Sequence, residues 1–147
     1  MVKRSANGPR RLDVDADFSA KPRESREQIM PNETITIDDF TRVDMRAGRV
    51  LAVEPFPKAR NPSWKVQVDL GELGTKWSSA QITNYTAEEL VGRLVICVCN
   101  FPPRNIAGFL SEVLILGVPD TDGKIILLTP QKTGLSPDAI APGVKVY

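Results

Sequence analysis

The stretch from residue 64 to residue 70, WKVQVDL, is the feature that most limits what this chain can fold into. Its apolar residues alternate strictly with polar ones: Trp64, Val66, Val68 and Leu70 against Lys65, Gln67 and Asp69. A period of two is typical of a β-strand with one buried and one exposed face. Such a strand needs partner strands to cover its buried face, so the sequence predicts a β-sheet protein.

Further strand-like segments surround this one, and two short helices lie between them. The sequence predicts strands at 43–56, 75–82, 93–99, 108–118 and 124–130, with PDTDG at 119–123 turning a hairpin. Capping-box patterns begin at Thr36 and Thr86, which predicts short helices at 36–41 and 86–92. The final VKVY is expected to add an edge strand.

The order of these elements predicts the architecture. Five or more strands with a helix between the third and the fourth is the order of an oligonucleotide-binding (OB) barrel. We therefore predict an all-β protein with one or two short helices, built as a five-stranded Greek-key OB-fold barrel with terminal extensions. A β-sandwich is the competing architecture. A bend or bulge at Gly48 would favour the barrel, because the first strand could then serve both sheets.

The first part of the chain differs in composition from the rest. Residues 1–29 carry seven Lys/Arg and five Asp/Glu, with few large apolar residues and neither helical nor strand periodicity. Such a segment cannot bury enough apolar surface to fold alone. We predict a flexible charged N-terminal extension at 1–33 and the OB-fold domain at 34–147.

The residue inventory argues against catalysis. The chain has no histidine, no glycine-rich phosphate loop and no nucleophile beside a base, so we expect no enzyme activity and no cofactor. Cys97 and Cys99 share one strand face, which is a poor geometry for a disulfide and offers too few ligands for zinc, so no metal site is expected. Free thiols and the lack of a long apolar run favour a cytoplasmic protein without membrane insertion.

Four separated stretches resemble the CsaA secretion-chaperone family: ITIDDFTRVDMRAGRVLAVEPFPKAR, SSAQIT, EELVG and NFPPRNIAGFLSEVLILGV. That family lies within the larger group of tRNA-binding OB domains, which are found on methionyl-tRNA synthetase and in EMAP II-like proteins. The larger group tends to read Ser-x-Gly-Met where this chain has Ser111 followed by Glu112, Val113 and Leu114. The sequence is therefore more similar to the CsaA side of the group.

The resemblance implies a cytoplasmic homodimeric chaperone, related to protein secretion, that binds unfolded preproteins or peptides and has the export machinery as a further partner. The alternative is a structure-selective tRNA-binding protein. Residues 30–147 carry twelve Lys/Arg against thirteen Asp/Glu, so any contact with RNA has to come from a local basic patch.

The loop after the fourth strand is the first candidate binding region. In a barrel, it would place Asn100, Arg104 and Asn105 at one rim, beside the first loop with Lys58 and Arg60. Arg104 suits a phosphate or a peptide carboxylate, while Asn100 and Ser111 suit polar ligand groups. The alternative is that Arg104 pairs with Glu112 and that the prolines only set the turn.

Glu112 shares strand parity with Leu110, Leu114 and Leu116, which predicts a buried carboxylate in need of a partner. We expect it to organise Arg104 or the Asn100 amide.

A second candidate surface lies on the third strand. Trp77, Ser79 and Gln81 share one face there, and Phe109 could join them. Exposed aromatic rings on an OB face stack nucleic-acid bases, but they also line apolar grooves for unfolded peptides or pack in a dimer interface or core. The sequence leaves these alternatives open.

Overall fold

The computed structural model describes residues 31–136 and 138–147. The predicted N-terminal extension, apart from residues 31–33, lies outside the described residues. The elements belong to the compact unit Ile35–Tyr147. Its strands are β1 (Met45–Pro55), β2 (Trp64–Asp69), β3 (Thr75–Ala80), β4 (Leu94–Val98), β5 (Arg104–Ile106), β6 (Phe109–Ser111), β7 (Leu114–Ile115), β8 (Gly117–Pro119) and β9 (Ile125–Leu127). Its helices are α1 (Ile37–Thr41) and α2 (Ala87–Leu90), with a 3-10 turn at Gly71–Leu73.

Five antiparallel strands form one sheet in the order β3-β2-β1-β4-β7, and this sheet curls into a nearly closed barrel. The long strand β1 pairs with β4 through residues 45–49 and with β2 through residues 49–55. It therefore serves both halves of the barrel, as predicted. The pairs β5/β6 and β8/β9 form two further hairpins. The prediction of a mostly β, OB-type barrel with short helices is confirmed.

The barrel closes between β3 and the residues at the end of β6. The backbone N–H of Glu112 donates to the carbonyl oxygen of Trp77 at 2.7 Å. In the other direction, the N–H groups of Trp77 and Ser79 donate to Glu112 Oε1 at 2.8 Å and to Ser111 Oγ at 3.0 Å. Two side chains thus supply acceptors that a regular neighbouring strand would supply from its backbone.

The core inside the barrel is apolar. Its buried residues are Val50, Val66, Val68, Leu70, Ile82, Leu90, Val95, Cys97, Val113, Ile115 and Leu127. Of the four residues that the alternation predicts to face inward, Val66, Val68 and Leu70 have no solvent exposure, whereas Trp64 is partly buried against the core. Burying a side chain of this size stabilises the fold by about 1.5–3 kcal/mol, so β2 is a central contributor to stability.

Both predicted helices begin with a complete capping box. Thr36 Oγ1 accepts from the Asp39 N–H, and Asp39 Oδ2 accepts from the Thr36 N–H at 3.0 Å. The Thr36 N–H, and after it the Thr36 hydroxyl, which donates to Asp39 Oδ2 at 3.1 Å, lower the pKa of the Asp39 carboxyl group. Thr86 and Glu89 repeat the arrangement at α2. In the part of the chain that the structure describes, no helix is long and apolar enough to cross a membrane.

The irregularity in β1 lies at Leu51, whereas the sequence predicted it at Gly48. The pairing of β1 with β2 shifts between Val50 and Ala52, and Leu51 is 44% exposed. Gly48 serves a different purpose, because a Cβ there would lie 2.4 Å from Val68 Cγ1 and 2.9 Å from a Leu70 methyl group. The glycine permits close packing of the barrel wall rather than a bulge.

The predicted single strand at 108–118 is wrong, since this segment forms the three short strands β6, β7 and β8. The predicted parity is also wrong. Val113 and Ile115 fill the core, while Leu110 is 53% exposed. Glu112 therefore turns toward the edge of β3 and avoids the core, which removes the cost of burying its carboxylate there.

The C-terminal residues pair with the start of β1. The Ala47 N–H donates to Val144 O and the Val146 N–H donates to Met45 O, both at 2.9 Å. Arg46 and Lys145 form an antiparallel bridge between these bonds. In place of the expected edge strand, the C-terminus thus has a single bridged residue, Lys145.

Candidate functional site

Three aromatic rings form a cluster where the end of β1, the strand β3 and the β5–β6 hairpin meet. The ring centroids of Phe56 and Phe109 are 5.2 Å apart, and those of Trp77 and Phe109 are 6.0 Å apart. Both pairs pack edge to face, which is a favourable arrangement of aromatic quadrupoles. Phe56 is buried, whereas Trp77 and Phe109 are partly exposed. We call these three residues the aromatic cluster.

The local sequence explains why the rings meet. Trp77 and Ser79 alternate with the buried Ser78 along β3, so they lie on the opposite, outer face of the barrel wall. Phe109 reaches the same place because Ala107 and Gly108 both have positive φ, at 50° and 86°, and turn the chain back in two residues. A two-residue turn of this hand matches the twist of a β-hairpin.

Lys65 lies at the centre of the cluster. Its Nζ atom is 5.0 Å from the ring centroid of Phe56 and 5.0 Å from that of Phe109. An ammonium group over aromatic faces is attracted by their negative quadrupoles. The sequence did not single out Lys65 or Phe56 as site residues. The alternation in β2 placed Lys65 on the exposed face, but only the strand pairing shows that it lies opposite Ser79.

Three more cations lie on segments that adjoin the cluster, the loop after Phe56 and the strand β5. Lys58 and Arg60 follow Phe56 in an exposed loop, where the Ala59 N–H donates to Phe56 O at 3.2 Å. Arg104 is exposed on β5, opposite Ser111. Within residues 31–136 and 138–147, none of these three side chains has a hydrogen-bond or ion-pair partner. The alternative pairing of Arg104 with Glu112 is therefore wrong.

Ser111 and Glu112 connect the β5–β6 hairpin to β3 by hydrogen bonds. Their side chains accept the N–H groups of Ser79 and Trp77, so they hold β3 against the hairpin that carries Phe109. The expectation that Glu112 organises Arg104 or Asn100 is wrong, because its partner is the backbone of Trp77. The carboxylate fixes the backbone at Trp77 and makes no ion pair with Arg104.

Asn100 makes its hydrogen bonds outside the aromatic cluster. Its Oδ1 accepts the Asp44 N–H at 2.9 Å, and its Nδ2 donates to Arg42 O at 2.8 Å. Both ends of the amide are thus used to fasten the connection between α1 and β1 to the end of β4. The structure gives Asn100 a structural role. Gln81 follows β3 directly and is partly buried.

The described residues contain no group of three or more His, Cys, Asp or Glu side chains that could hold a metal ion. Burial raises the pKa of the Cys97 thiol to about 12, with a smaller effect from Cys99. Burial and the nearby Asp44 carboxylate raise the pKa of Cys99 to about 11. Both thiols stay protonated at neutral pH and are poor nucleophiles. What the site can do is bind a ligand by apolar and cationic contact.

Comparison with known proteins finds two kinds of relative for this chain. Residues 45–137 match the family described as "Putative tRNA binding domain". The solved CsaA chaperone protein of Picrophilus torridus is 42% identical, with a TM-score of 0.68 over 78% of this chain and 100% of that one. The chaperone CsaA of Bacillus anthracis str. Ames gives the same identity, TM-score and coverage.

The second kind of relative is much longer than this chain. A methionine–tRNA ligase of Chlorobium chlorochromatii (strain CaD3) is 37% identical over 117 residues, which are 80% of this chain and 16% of the ligase. The chain spans less than a fifth of the length of the ligases that it matches.

Proposed function

Because this chain belongs to the CsaA family within the group of tRNA-binding domains, we propose that it is a chaperone that binds extended segments of unfolded polypeptides on the aromatic cluster. In this proposal it acts in the cytoplasm as a homodimer, and its clients include preproteins on their way to export. Its role is binding alone, without a catalytic step.

The observation that carries the proposal is the partly exposed aromatic cluster itself. Trp77 and Phe109 offer apolar surface that the fold leaves uncovered, and an unfolded client can cover it with its own apolar side chains. Such contact is worth about 25 cal/mol for each Å² of apolar surface removed from water, and it does not depend on one client sequence. A chaperone needs that tolerance.

Charge and ring packing also favour a polypeptide over a nucleic acid. Residues 30–147 carry one acidic group more than basic groups, counted as thirteen against twelve. The Lys65 ammonium lies over the Phe109 ring, so a stacking base would compete with it for a ring face. Proteins that bind single-stranded nucleic acids combine a basic groove with open stacking surfaces.

The homodimer in this proposal has an apolar surface available for it on the β8–β9 hairpin. Val118 and Ile126 are paired across the two strands and are 50% and 40% exposed. Exposed apolar surface of this kind is common at interfaces between protein subunits. Light scattering of the purified chain measures whether the mass is that of one or two copies.

Binding of tRNA is the second candidate function. The specific observation in its favour is the set of cations beside the cluster that have no anionic partner among the described residues: Lys58, Arg60, Lys65 and Arg104. These residues lie on the strand face and in the loops that OB folds use for oligonucleotides. Phosphate groups would be their natural partners.

A paired salt titration separates the two functions. The probes are bulk tRNA and a labelled twelve-residue peptide rich in Leu and Phe without charged side chains, called the neutral peptide below. We expect the affinity for the neutral peptide to change by less than about threefold between 50 and 200 mM salt, because apolar contact is not screened. Contacts from three to four cations to phosphates would instead cost tRNA roughly 20- to 150-fold over that range.

Two results would contradict the chaperone proposal: no measurable binding of the neutral peptide, or a salt dependence of peptide binding as steep as that of tRNA.

A further inference from the structure

The Lys65 ammonium group has three N–H donors and no acceptor for them among the described residues. Its contacts in the structure are the faces of Phe56 and Phe109, which attract the charge but accept no ordinary hydrogen bond. The side chain is only partly exposed, so water reaches it less freely than it reaches a surface lysine. This leaves a cation with unused bonding capacity in the middle of an apolar surface.

The nearby carboxylates do not neutralise this charge. Glu54 lies directly opposite Lys65 on β1, is exposed, and forms no ion pair with it. Asp69, on the same face of β2, accepts the Gly71 N–H at 2.9 Å. Glu112 accepts the Trp77 N–H. Asp69 and Glu112 are therefore engaged with backbone N–H groups, and Glu54 stands across from Lys65 without an ion pair to it.

A second cation, Arg104, is connected to Lys65 through a row of paired residues across the strands. Lys65 lies opposite Ser79, Ser79 is bonded to Ser111, and Ser111 lies opposite Arg104. The two cations thus stand at the ends of a row with two small polar residues between them. A chain lying along this row meets positive charge at both ends and aromatic surface beside it.

From this arrangement we propose that Lys65 makes the aromatic cluster selective for apolar polypeptide segments that carry an acidic side chain, and that it discriminates against basic segments. The inference rests on the proposed chaperone function and adds the class of client. A client carboxylate accepts the free N–H groups of Lys65 in charge-assisted hydrogen bonds, while client apolar groups cover the rings. A client lysine at the same place meets an uncompensated like charge.

The test uses two further peptides that differ from the neutral peptide only at two central positions, which are Asp in one and Lys in the other. We expect the Asp peptide to bind the full chain at least fivefold more tightly than the Lys peptide, as measured by fluorescence anisotropy at 50 mM salt. In the Lys65→Met variant this ratio should fall to within about twofold, while the neutral peptide still binds, because Met retains an apolar contact with the rings.

Two control variants complete the design. Lys65→Arg retains the cation over the rings and should retain the ratio. Lys132→Met removes one exposed lysine that makes no contact with the cluster, so it matches the change in net charge and should also retain the ratio. Melting curves of all variants confirm that each is folded.

The possible failures are distinguishable. Equal binding of the Asp and Lys peptides by the wild-type chain, or an unchanged ratio in Lys65→Met, overturns the selectivity and leaves the chaperone function standing. Binding of tRNA with no binding of any peptide overturns both, and assigns the unpaired cations to phosphates.

Discussion

Replacing Glu112 with alanine is expected to lower the free energy of unfolding by about 3 kcal/mol. Glu112 Oε1 accepts the Trp77 N–H at 2.8 Å in a partly buried position, and the closure of the barrel depends on this bond and its neighbours. A hydrogen bond to a charged group contributes about 1.5–3 kcal/mol, and its removal also leaves a partly buried N–H without an acceptor. Urea unfolding followed by circular dichroism measures the loss.

Two matched variants show whether the acceptor is the reason. Glu112→Gln keeps an oxygen at the same place and should lose only about 1 kcal/mol. Ser111→Ala removes the acceptor of the Ser79 N–H at 3.0 Å and should also cost about 1 kcal/mol. If Glu112→Ala unfolds at the wild-type urea concentration, the side-chain closure of the barrel is not what holds β3 to the hairpin.

Replacing Gly48 with alanine is expected to cost about 3 kcal/mol of stability, through crowding alone. The added Cβ would lie 2.4 Å from Val68 Cγ1, 2.9 Å from Leu70 Cδ2 and 3.2 Å from the Asp69 carbonyl oxygen. Val68 and Leu70 are completely buried, so they have little room to move aside. The wall of the barrel between β1 and β2 must therefore open slightly to admit one methyl group.

A double-mutant cycle identifies the cause of this loss. Val68→Ala removes the methyl group that the new Cβ would strike, so the Gly48→Ala/Val68→Ala variant should lose clearly less than the sum of the two single losses. Thermal or urea unfolding of the three variants gives the coupling. Additive losses, or a Gly48→Ala variant as stable as the wild type, would contradict the packing of β1 over β2.

The fold could be predicted from sequence because its main signals are local. The alternation in β2 identified the inward residues Val66, Val68 and Leu70, and the two capping boxes located both short helices. The errors occurred where the cause is not local. The sequence predicted a bend or bulge at Gly48. The position is instead glycine because Val68 and Leu70, which follow along the neighbouring chain segment, leave no room for a side chain.

Residues 108–118 show the same limit for strand parity. Their apolar run predicted one strand with Glu112 facing inward. The strand instead ends at Ser111 and the next begins at Leu114. Between them, the Glu112 carboxylate and the Ser111 hydroxyl accept hydrogen bonds from the edge of β3, more than thirty residues earlier in the sequence. The periodicity of a single segment cannot indicate a hydrogen-bond partner that is so distant in the sequence.

The candidate site was predictable in part for the same reason. Trp77 and Phe109 were chosen for their type, and the structure brings them together at 6.0 Å. Lys65 was missed because its place over two rings follows from strand pairing, which single-strand periodicity does not give. Asn100 suited a ligand by type, but both ends of its amide are used within the fold.

The most direct test of the central claim compares two neighbouring residues on β6. Phe109 belongs to the aromatic cluster, while Leu110 is 53% exposed and points to the other face of the hairpin. The measurement is the affinity of the folded Phe109→Ala and Leu110→Ala variants for the neutral peptide. We expect Phe109→Ala to bind at least tenfold more weakly than the wild type and Leu110→Ala to stay within about twofold. Wild-type affinity in a folded Phe109→Ala variant, or an equal loss in Leu110→Ala, would contradict the assignment of the aromatic cluster as the binding site.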